Sequence, residues 1–398
     1  MQKRLLVLAS GILQVPVIKR AHEMGIYVIA ADGDPYACGL KYADKPICAN
    51  ITSAADMLKV AMDEKIDGVI HPCSEVSMSV MGRINDELHL SGISEEQAFM
   101  ATNKHLMREA FERGNAPSPK SKCFTDVEVA WGSFCRDFTG ACILKPSRNS
   151  GSRGIAKIDE NIKVEEFRIL FETAKSESRD KQVMLEQFIE GPEFSIEIIV
   201  WNRQVNVLTV TDKKTTEAPH FVELGHNQPS CYPSETVEKI QAAAVAGVRA
   251  LGVNNCACHA EVKVQNGKPY IMEIGARMGG DFISTILTPL STGVDMIAAA
   301  INCALGIEPA LEPIAEKHSV CIRYFCPKPG VLKNIIHTEV LNDPRVYEWE
   351  IYHKAGDVIP EVTSSLCRSG HVIVTEKTPQ DAIELAEMLI SEVLFKTE

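Results

Sequence analysis

Strand and helix patterns alternate through the start of the chain, and this alternation narrows the possible folds most. Residues 4–9 and 26–31 are continuous apolar stretches, as expected of strands buried on both faces. Between them, apolar residues recur at helical spacing and stop at Gly25, a typical residue after a helix end. A further apolar stretch covers residues 68–70. Parallel strands joined by crossover helices satisfy this pattern, so an α/β unit of the Rossmann-like kind is predicted over residues 1–92.

The first turn of this unit lacks the glycines of a dinucleotide site. The G-x-G-x-x-G fingerprint requires three glycines, and only Gly11 is present. Asp32 does follow the second strand, where an acid that binds ribose would lie. A nicotinamide-dependent oxidoreductase therefore remains an alternative, but we expect the fold without that cofactor.

Length and composition limit the classes of function. With 398 residues, two or three domains are expected. The net charge of −12 argues against a nucleic-acid partner, and no apolar stretch approaches the ~18 residues of a membrane span. The start of the chain does not read as a signal peptide, and thirteen scattered cysteines indicate reduced thiols, so a cytoplasmic protein is expected. The run Cys256-Ala257-Cys258-His259 is either half of a zinc site or, as we expect, a buried strand.

Two glutamates flank a hairpin signal near the middle of the chain. Glu261 and Glu273 lie in apolar segments on either side of Asn266-Gly267. A strict two-residue turn pairs Gln265 with Lys268 and leaves the two carboxylates on opposite faces. A bulge or one extra loop residue shifts the register and sets the carboxylates side by side, ~5 Å apart at Cβ. We predict the shifted register, because two adjacent carboxylates and nucleotide phosphates together suit Mg²⁺. The alternative is a pair of solvent-facing acids.

Other segments suggest phosphate binding, although the chain has no P-loop motif. Lys145 ends a predicted strand, and a loop rich in serine, glycine and arginine follows over residues 147–154. Such a loop can offer N–H groups, hydroxyls and charge to phosphate oxygens, although many solvated loops share its composition. Arg277 precedes Gly279-Gly280, and an arginine beside a metal-bound phosphate stabilises phosphoryl transfer.

A third segment, residues 186–193, leaves a predicted strand through a turn. The backbone of such a segment can read the edge of an adenine, one acid can accept from its amino group, and a second acid can hold ribose hydroxyls. Surface acids on a strand–turn–strand are the alternative reading.

Taken in order, these pieces resemble the ATP-grasp ligase superfamily. The resemblance rests on Lys104, Lys145, the 147–154 loop, the 186–193 segment, Glu261 and Glu273 with Arg277. It implies an α/β chain with the ATP-grasp fold. The N-terminal Rossmann-like domain would be followed by an ATP-grasp domain of two α+β subdomains over residues 93–308. A small C-terminal α+β domain would cover residues 309–398.

The resemblance also implies roles for individual residues. ATP would be held by Lys104, Lys145, Ser150, Gly151, Ser152, Glu186, Gln187, Phe188, Ile189 and Glu193. Glu261 and Glu273 would bind one or two Mg²⁺ ions, with Mn²⁺ as a substitute, and Arg277 and Lys145 would be catalytic. The family pattern E-x-N-x-R reads here Glu273-Ile274-Gly275-Ala276-Arg277, so Gly275 leaves the metal site one protein ligand short.

Residues 211–230 and 277–281 look like those of L-amino-acid (dipeptide) ligases and carnosine-synthase-like enzymes. This likeness implies that Glu223, His226, Arg277 and Gly280 contact the amino-acid substrate. Asp281 stands where the dipeptide ligases have a bulky aromatic residue, and its carboxylate is expected to favour a cationic or amino-bearing nucleophile. Lys213-Lys214 is expected to be a solvated pair rather than two ligands, with the alternative that one of the two faces the phosphates.

The expected activity is therefore carboxylate–amine ligation through an acyl phosphate, with an amino acid as substrate and release of ADP and phosphate. The partners would be small-molecule carboxylates and amines, and a homodimer is expected because dimers are usual among similar enzymes. The alternatives are an ATP-grasp carboxylase or purine-pathway enzyme that uses bicarbonate or formate, and a catalytically silent nucleotide-binding regulator.

Overall fold

A computed structural model describes residues 2–148, 154–216 and 221–398 of the chain. Its N-terminal sheet is parallel and has the order β3-β2-β1-β4, with strands β1 (Arg4–Leu8), β2 (Tyr27–Asp32), β3 (Lys45–Cys48) and β4 (Gly68–Ile70). The helices of this part are α1 (Val15–Glu23), α2 (Ala54–Glu64) and α3 (Met78–Leu88). The predicted parallel α/β unit is confirmed. Asp32 accepts the backbone N–H groups of Ser10 and Asp34, so its carboxylate closes the first turn of the unit.

Two helices, α4 (Glu95–Thr102) and α5 (Lys104–Arg113), lead from this unit to the rest of the chain. Asn103 is the N-cap of α5, because its side chain accepts the backbone N–H groups of His105 and Leu106. Phe111, on the apolar face of α5, is fully buried. The cap fixes where α5 begins, and so places Lys104 at its first turn.

A small antiparallel sheet follows, with the order β5-β8-β6-β7. Its elements are β5 (Ser121–Phe124), α6 (Val127–Asp137), β6 (Cys142–Pro146), β7 (Ala156–Ile158), α7 (Val164–Glu177) and β8 (Val183–Gln187). Trp131, Phe134, Phe167 and Phe171 form an aromatic layer between the helices, with ring centroids 5.2–6.3 Å apart. This layer packs both helices onto one face of the sheet.

The remaining strands are β9 (Glu193–Trp201), β10 (Gln204–Thr215), β11 (Glu223–Gln228), β12 (Cys256–Gln265), β13 (Lys268–Gly275), β14 (Ser319–Tyr324), β15 (Gly330–Ile336), β16 (Val346–Ile351), β17 (Val358–Ile359), β18 (Gly370–Glu376) and β19 (Leu394–Thr397). Most of them form a large antiparallel sheet in the order β13-β12-β9-β10-β11-β14-β18-β16. Strands β17, β15 and β19 form a separate small sheet. The helices are α8 (Ser234–Leu251), α9 (Thr288–Thr292), α10 (Met296–Ala304) and α11 (Pro379–Glu392).

Strand β11 was not apparent from the sequence, which is polar here. Its buried polar side chains find partners within the sheet: Asn227 donates to Asp212, and Gln228 donates to Thr211. Because these bonds replace the hydrogen bonds to water, a polar strand can lie in the middle of the sheet. The large sheet also continues across the predicted boundary at 308/309, through β14. The division into three domains remains a prediction.

Apolar residues recur at helical spacing over residues 379–395 and predict a helix of that length, but the helix in the structure ends earlier. Helix α11 ends at Glu392, and residues 394–397 form β19, which pairs with β15. The apolar residues of this tail belong to a strand, which periodicity alone did not distinguish from one more helical turn.

Within the described ranges, no single helix has the length and apolarity to cross a membrane. The segments Ile283–Thr292 and Met296–Ala304 reach that length and composition only as a pair, with a bend of 118° between them.

We expect Phe111→Ala to destabilise the chain by about 3–5 kcal/mol, because the cavity sits where α5 packs against Gly247 of α8 and no neighbour can fill it without movement. Phe99→Ala, which removes the same ring from a site 39% exposed, is the matched control and should cost under about 1 kcal/mol. Urea denaturation followed by tryptophan fluorescence measures both. Equal losses in the two variants would contradict this packing.

Candidate active site

Helix α5 joins the small sheet to the β12–β13 hairpin of the large sheet. Arg108 donates from Nε to Glu186 on β8 at 2.8 Å and from Nη2 to the carbonyl of Met272 on β13 at 2.7 Å. Lys104, at the start of the helix, contacts Glu273 on β13. The predicted residues on the two sheets therefore lie on either side of one helix.

Lys145 and Glu186 form a buried ion pair on the small sheet. The Lys145 Nζ atom lies 2.7 Å from Glu186 Oε1, and Arg108 holds the other carboxylate oxygen. Burial raises the pKa of Glu186, but Arg108 and Lys145 outweigh it and bring that pKa down to about 2. Burial also lowers the pKa of Lys145 despite its carboxylate partner. Two cations share one carboxylate here, so the cluster has an excess of positive charge that suits phosphate.

The two hairpin glutamates lie side by side, as predicted. Gln265 pairs with Lys268 across a strict two-residue turn, and the register then shifts between Glu261 and Val262, so that Glu261 pairs with Glu273. The bulge, and not a longer loop, produces the shift. Met272 is the extra residue of the bulge, and its carbonyl accepts the bond from Arg108.

Lysines face both hairpin carboxylates. Lys104 Nζ lies 2.9 Å from Glu273 Oε1, and Lys213 Nζ lies 3.0 Å from Glu261 Oε1. The attraction of Lys213 sets the pKa of Glu261 well below its usual range. Burial raises the pKa of Glu273, but the nearby Lys104 more than offsets this effect and lowers it.

The expectation that Lys213-Lys214 is a solvated pair is wrong for Lys213. Its side chain is 4% exposed and contacts Glu193, Glu223 and Glu261 at 2.6, 3.7 and 3.0 Å. Lys214 lies on the other face of β10, where it is exposed and contacts Glu387. Strand alternation accounts for the difference, and the burial of Lys213 brings three predicted site residues around one ammonium group.

Arg277 occupies the space that a side chain at position 275 would fill. A Cβ atom on Gly275 would lie 3.1 Å from Arg277 Nε. The guanidinium reaches the N-terminal domain, where Arg277 Nη2 lies 3.2 Å from Glu75 Oε1. Glu75 was missed by the sequence reading. Its position in the loop after β4 was the available signal, because loops at the carboxyl ends of parallel strands commonly form ligand sites.

The predicted amino-acid subsite lies on β11 and on the turn after Arg277. Glu223 accepts from the hydroxyl of Ser365 at 2.9 Å, and His226 Nε2 lies 3.3 Å from Asp281 Oδ2. A Cβ atom added to Gly280 would have nothing within 4 Å, so the turn borders open space. These residues come together as predicted, although none of the observations assigns them a substrate.

Asp281 does not present a free charge, contrary to the expectation from sequence. Both of its oxygens accept from Arg368, each at 2.7 Å. Burial raises the pKa of Asp281, but Arg368 and His226 together hold it well below its usual range. Arg368 lies far along the sequence, in a segment that gave no signal.

The segment after β8 has backbone donors that the described chain leaves unused, namely the N–H groups of Ile189, Glu190 and Gly191. The N–H groups of Gln187 and Phe188 donate to the carbonyls of Lys120 and Ala141, whereas that of Ile189 donates to no described atom. Lys157 lies over the Phe188 ring, 4.3 Å from its centroid. An unused N–H beside an aromatic ring is compatible with the predicted role in adenine binding. Glu193, predicted to hold ribose, starts β9 and contacts Lys213.

The predicted loop residues Ser150, Gly151 and Ser152 lie outside the described residues.

The two hairpin carboxylates fit part of a magnesium site. No group of three or more His, Cys, Asp or Glu side chains in the described chain is arranged to hold a metal ion alone. Mg²⁺ commonly binds through one or two carboxylates together with substrate phosphates and water. Glu261 and Glu273, adjacent on one face and close to Lys104, match that partial set.

Cys256 and Cys258 lie on β12, which confirms the buried strand. His259, the next residue, pairs with a buried carboxylate, because its Nδ1 atom contacts Glu197. Burial lowers the pKa of His259, but Glu197 outweighs burial and raises that pKa to about 9.

Two parts of this chain match known protein families. Residues 138–286 match the ATP-grasp domain, and residues 323–398 match L-amino acid ligase C-terminal domain 2. Alanine–anticapsin ligase of Bacillus subtilis (strain 168) is 27% identical over 227 residues, which are 52% of this chain and 48% of that protein. Carnosine synthase 1 of Gallus gallus is 28% identical over 129 residues, which are 32% of this chain and 14% of that protein. The chain therefore spans about half or less of the length of these curated relatives.

The solved structure of an L-amino acid ligase from Bacillus licheniformis shares the fold. Its TM-score is 0.83 at 19% sequence identity, and the match covers 100% of this chain and 99% of that one. At this identity the likeness shows the fold alone, and it confirms the ATP-grasp architecture.

We expect Glu186→Gln to destabilise the chain by about 3–5 kcal/mol, because two buried cations would lose their shared carboxylate. Glu190→Gln, at an exposed position of the same segment, is the matched control. Since the pKa of Glu186 is depressed, its contribution is fully present above the usual carboxyl pKa and disappears as the pH falls through about 2. Urea denaturation between pH 7 and pH 3 measures the effect. A difference between wild type and Glu186→Gln that grew on acidification would contradict it.

Proposed function

The chain carries an ATP-grasp domain and an L-amino acid ligase C-terminal domain, and from this premise we propose that it is an ATP-dependent carboxylate–amine ligase. It joins an amino acid to an amine through an acyl-phosphate intermediate and releases ADP and phosphate. The bulged hairpin carries the proposal, because it sets two carboxylates side by side next to Lys104. Those groups are what a magnesium-bound triphosphate requires.

The nucleotide is proposed to lie between the small sheet and the hairpin. Lys145 and Lys104 face its phosphates, and the unused N–H of Ile189 reads the adenine edge. Glu193 holds the ribose, and Ser150, Gly151 and Ser152 close over the phosphates. Glu261 and Glu273 would hold magnesium, whose positive charge would stabilise the negative charge that develops during phosphoryl transfer.

The proposed reaction has two steps. An oxygen of the substrate carboxylate attacks the γ-phosphorus, the bond to ADP breaks, and an acyl phosphate forms. The amine nitrogen then attacks the acyl carbon, phosphate leaves, and the nitrogen loses a proton to give the amide. Lys145 and Arg277 spread the negative charge of the first transition state, since a positioned cation there stabilises it more than the ground state.

An amino acid is the substrate class that the subsite supports. Glu223 offers a carboxylate to an ammonium group, Arg277 offers a guanidinium to a carboxylate, and the turn at Gly280 leaves room beside them. The matched relatives are named as ligases of alanine with anticapsin and as carnosine synthases, which agrees with this class. A cytoplasmic location and a homodimer belong to the same proposal.

The first test is phosphate release from Mg²⁺-ATP in the presence of a panel of amino acids. We expect release only when an amino acid pair is present, together with a product whose mass equals the two amino acids less water. EDTA should abolish release, and added bicarbonate should change nothing. Release that requires bicarbonate or formate and no amino acid would favour the carboxylase or purine-pathway alternative, and nucleotide binding without any release would favour a regulator.

Arg277→Met should lower kcat by about 10²–10³-fold with little change in the KM for ATP, because its charge acts in the transition state. Arg277→Lys should fall between this variant and the wild type, since it keeps the charge and loses the planar fork. Arg83→Met removes an exposed arginine and serves as the control. A loss confined to the KM for ATP would contradict the proposed role.

A further inference from the structure

The Asp281 carboxylate is fully engaged by one guanidinium. Arg368 Nη1 lies 2.7 Å from Asp281 Oδ2, and Arg368 Nη2 lies 2.7 Å from Oδ1. Two parallel bonds of this kind fix both position and angle. The Arg368 side chain is 9% exposed, whereas that of Asp281 is 25% exposed, so the carboxylate faces the accessible side of the pair.

Further contacts hold the arginine in place. Its Cζ atom lies 3.6 Å from the centroid of the Tyr324 ring, and its Nε donates to the carbonyl of Ser365. The same segment reaches the amino-acid subsite twice more: Ser365 donates to the Glu223 carboxylate, and Arg368 donates to the Glu223 carbonyl at 3.4 Å. The segment of residues 365–368 therefore forms a wall of the subsite and does more than neutralise one charge.

The backbone at Asp281 requires this support. Asp281 and Phe282 have φ values of 51° and 63°, in the left-handed region that side chains other than glycine rarely adopt. Residues keep such backbone conformations only where contacts with the surrounding structure hold them in place. The ion pair to Arg368 holds Asp281 in this conformation. Gly280, which has open space beside it, immediately precedes these two strained residues.

We propose that Arg368 is a specificity-determining residue, which masks Asp281 and so makes the enzyme prefer amine substrates without a positive side-chain charge. The inference rests on the proposed function. A cationic side chain entering the subsite would lose its hydration, and the masked carboxylate would not compensate for that loss. A neutral polar side chain has a much smaller desolvation penalty. This reverses the preference for cationic amines that the sequence suggested.

Removal of Arg368 should then create the opposite preference. A carboxylate left without its buried partner attracts any available cation, and the substrate would supply one. The matched probes are arginine and citrulline, which have nearly the same shape and differ in side-chain charge. The measured quantity is the ratio of kcat/KM for arginine to that for citrulline as amine, with one fixed carboxylate substrate. Calorimetric binding of both amino acids, in the presence of Mg²⁺ and a non-hydrolysable ATP analogue, gives the corresponding ratio of affinities without turnover.

Wild type should favour citrulline. Arg368→Gln should raise the ratio by about tenfold or more, which corresponds to about 1.4 kcal/mol. Arg368→Lys, which keeps the positive charge, should stay close to wild type. The double variant Asp281→Asn with Arg368→Gln should lose the gained preference. A merely structural role would lower binding of both probes together and leave the ratio unchanged.

The reciprocal variant guards against misfolding of Arg368→Gln. Asp281→Asn leaves Arg368 unmasked and should raise the preference for glutamate over glutamine, while arginine gains nothing. A wild type that does not favour citrulline, or an Arg368→Gln ratio within about twofold of wild type, would overturn the inference. These outcomes are separate from the proposed function, which fails if no pair of amino acids elicits phosphate release from the wild type.

Discussion

The one-residue shift in the β12–β13 hairpin is the constraint on which the candidate site depends. Without it, Glu273 would point to the face opposite Glu261, because neighbouring strand residues alternate between faces. The shift leaves Met272 without a partner residue on β12, and Arg108 donates a hydrogen bond to the Met272 carbonyl. Since Arg108 also holds Glu186, the same guanidinium fixes the bulge and ties the hairpin to the small sheet. One side chain thus links the geometry of the proposed metal site to that of the proposed nucleotide site.

The site is built from buried charges of both signs in contact with each other. Lys104 pairs with Glu273, and Lys213 contacts both Glu261 and Glu193. Isolated charges at these depths would be strongly disfavoured, so each of these charged groups has a partner of the opposite sign. A bound magnesium ion and triphosphate would offer each group a new partner, because the carboxylates turn to the ion and the ammonium groups to the phosphates. In the proposed function these ion pairs would therefore be replaced by contacts with the ion and the phosphates.

Much of this arrangement could be predicted from local patterns, and the remainder depends on long-range contacts. The apolar stretches predicted the parallel sheet, and Asn266-Gly267 predicted the turn. The bulge was predicted because a magnesium site requires two adjacent carboxylates. No local pattern could reveal that Arg368 neutralises Asp281, because the two residues meet only after β18 has joined the large sheet. Lys213 was misread for a related reason: the sequence shows a lysine pair, but only the neighbouring strands determine which of the two is buried.

The residues of the candidate site come from different parts of the chain. The groups proposed to bind the nucleotide lie between the small sheet and the hairpin, within the ATP-grasp match or on the adjacent helix α5. The groups around the amino-acid subsite come partly from elsewhere: Glu75 reaches Arg277 from the N-terminal unit, and Arg368 reaches Asp281 from the C-terminal match. A substitution in the C-terminal segment can therefore alter the environment of Asp281 without touching the residues proposed for phosphoryl transfer. On this arrangement, substrate choice can change while the phosphoryl-transfer chemistry is retained, because the two depend on side chains from different parts of the chain.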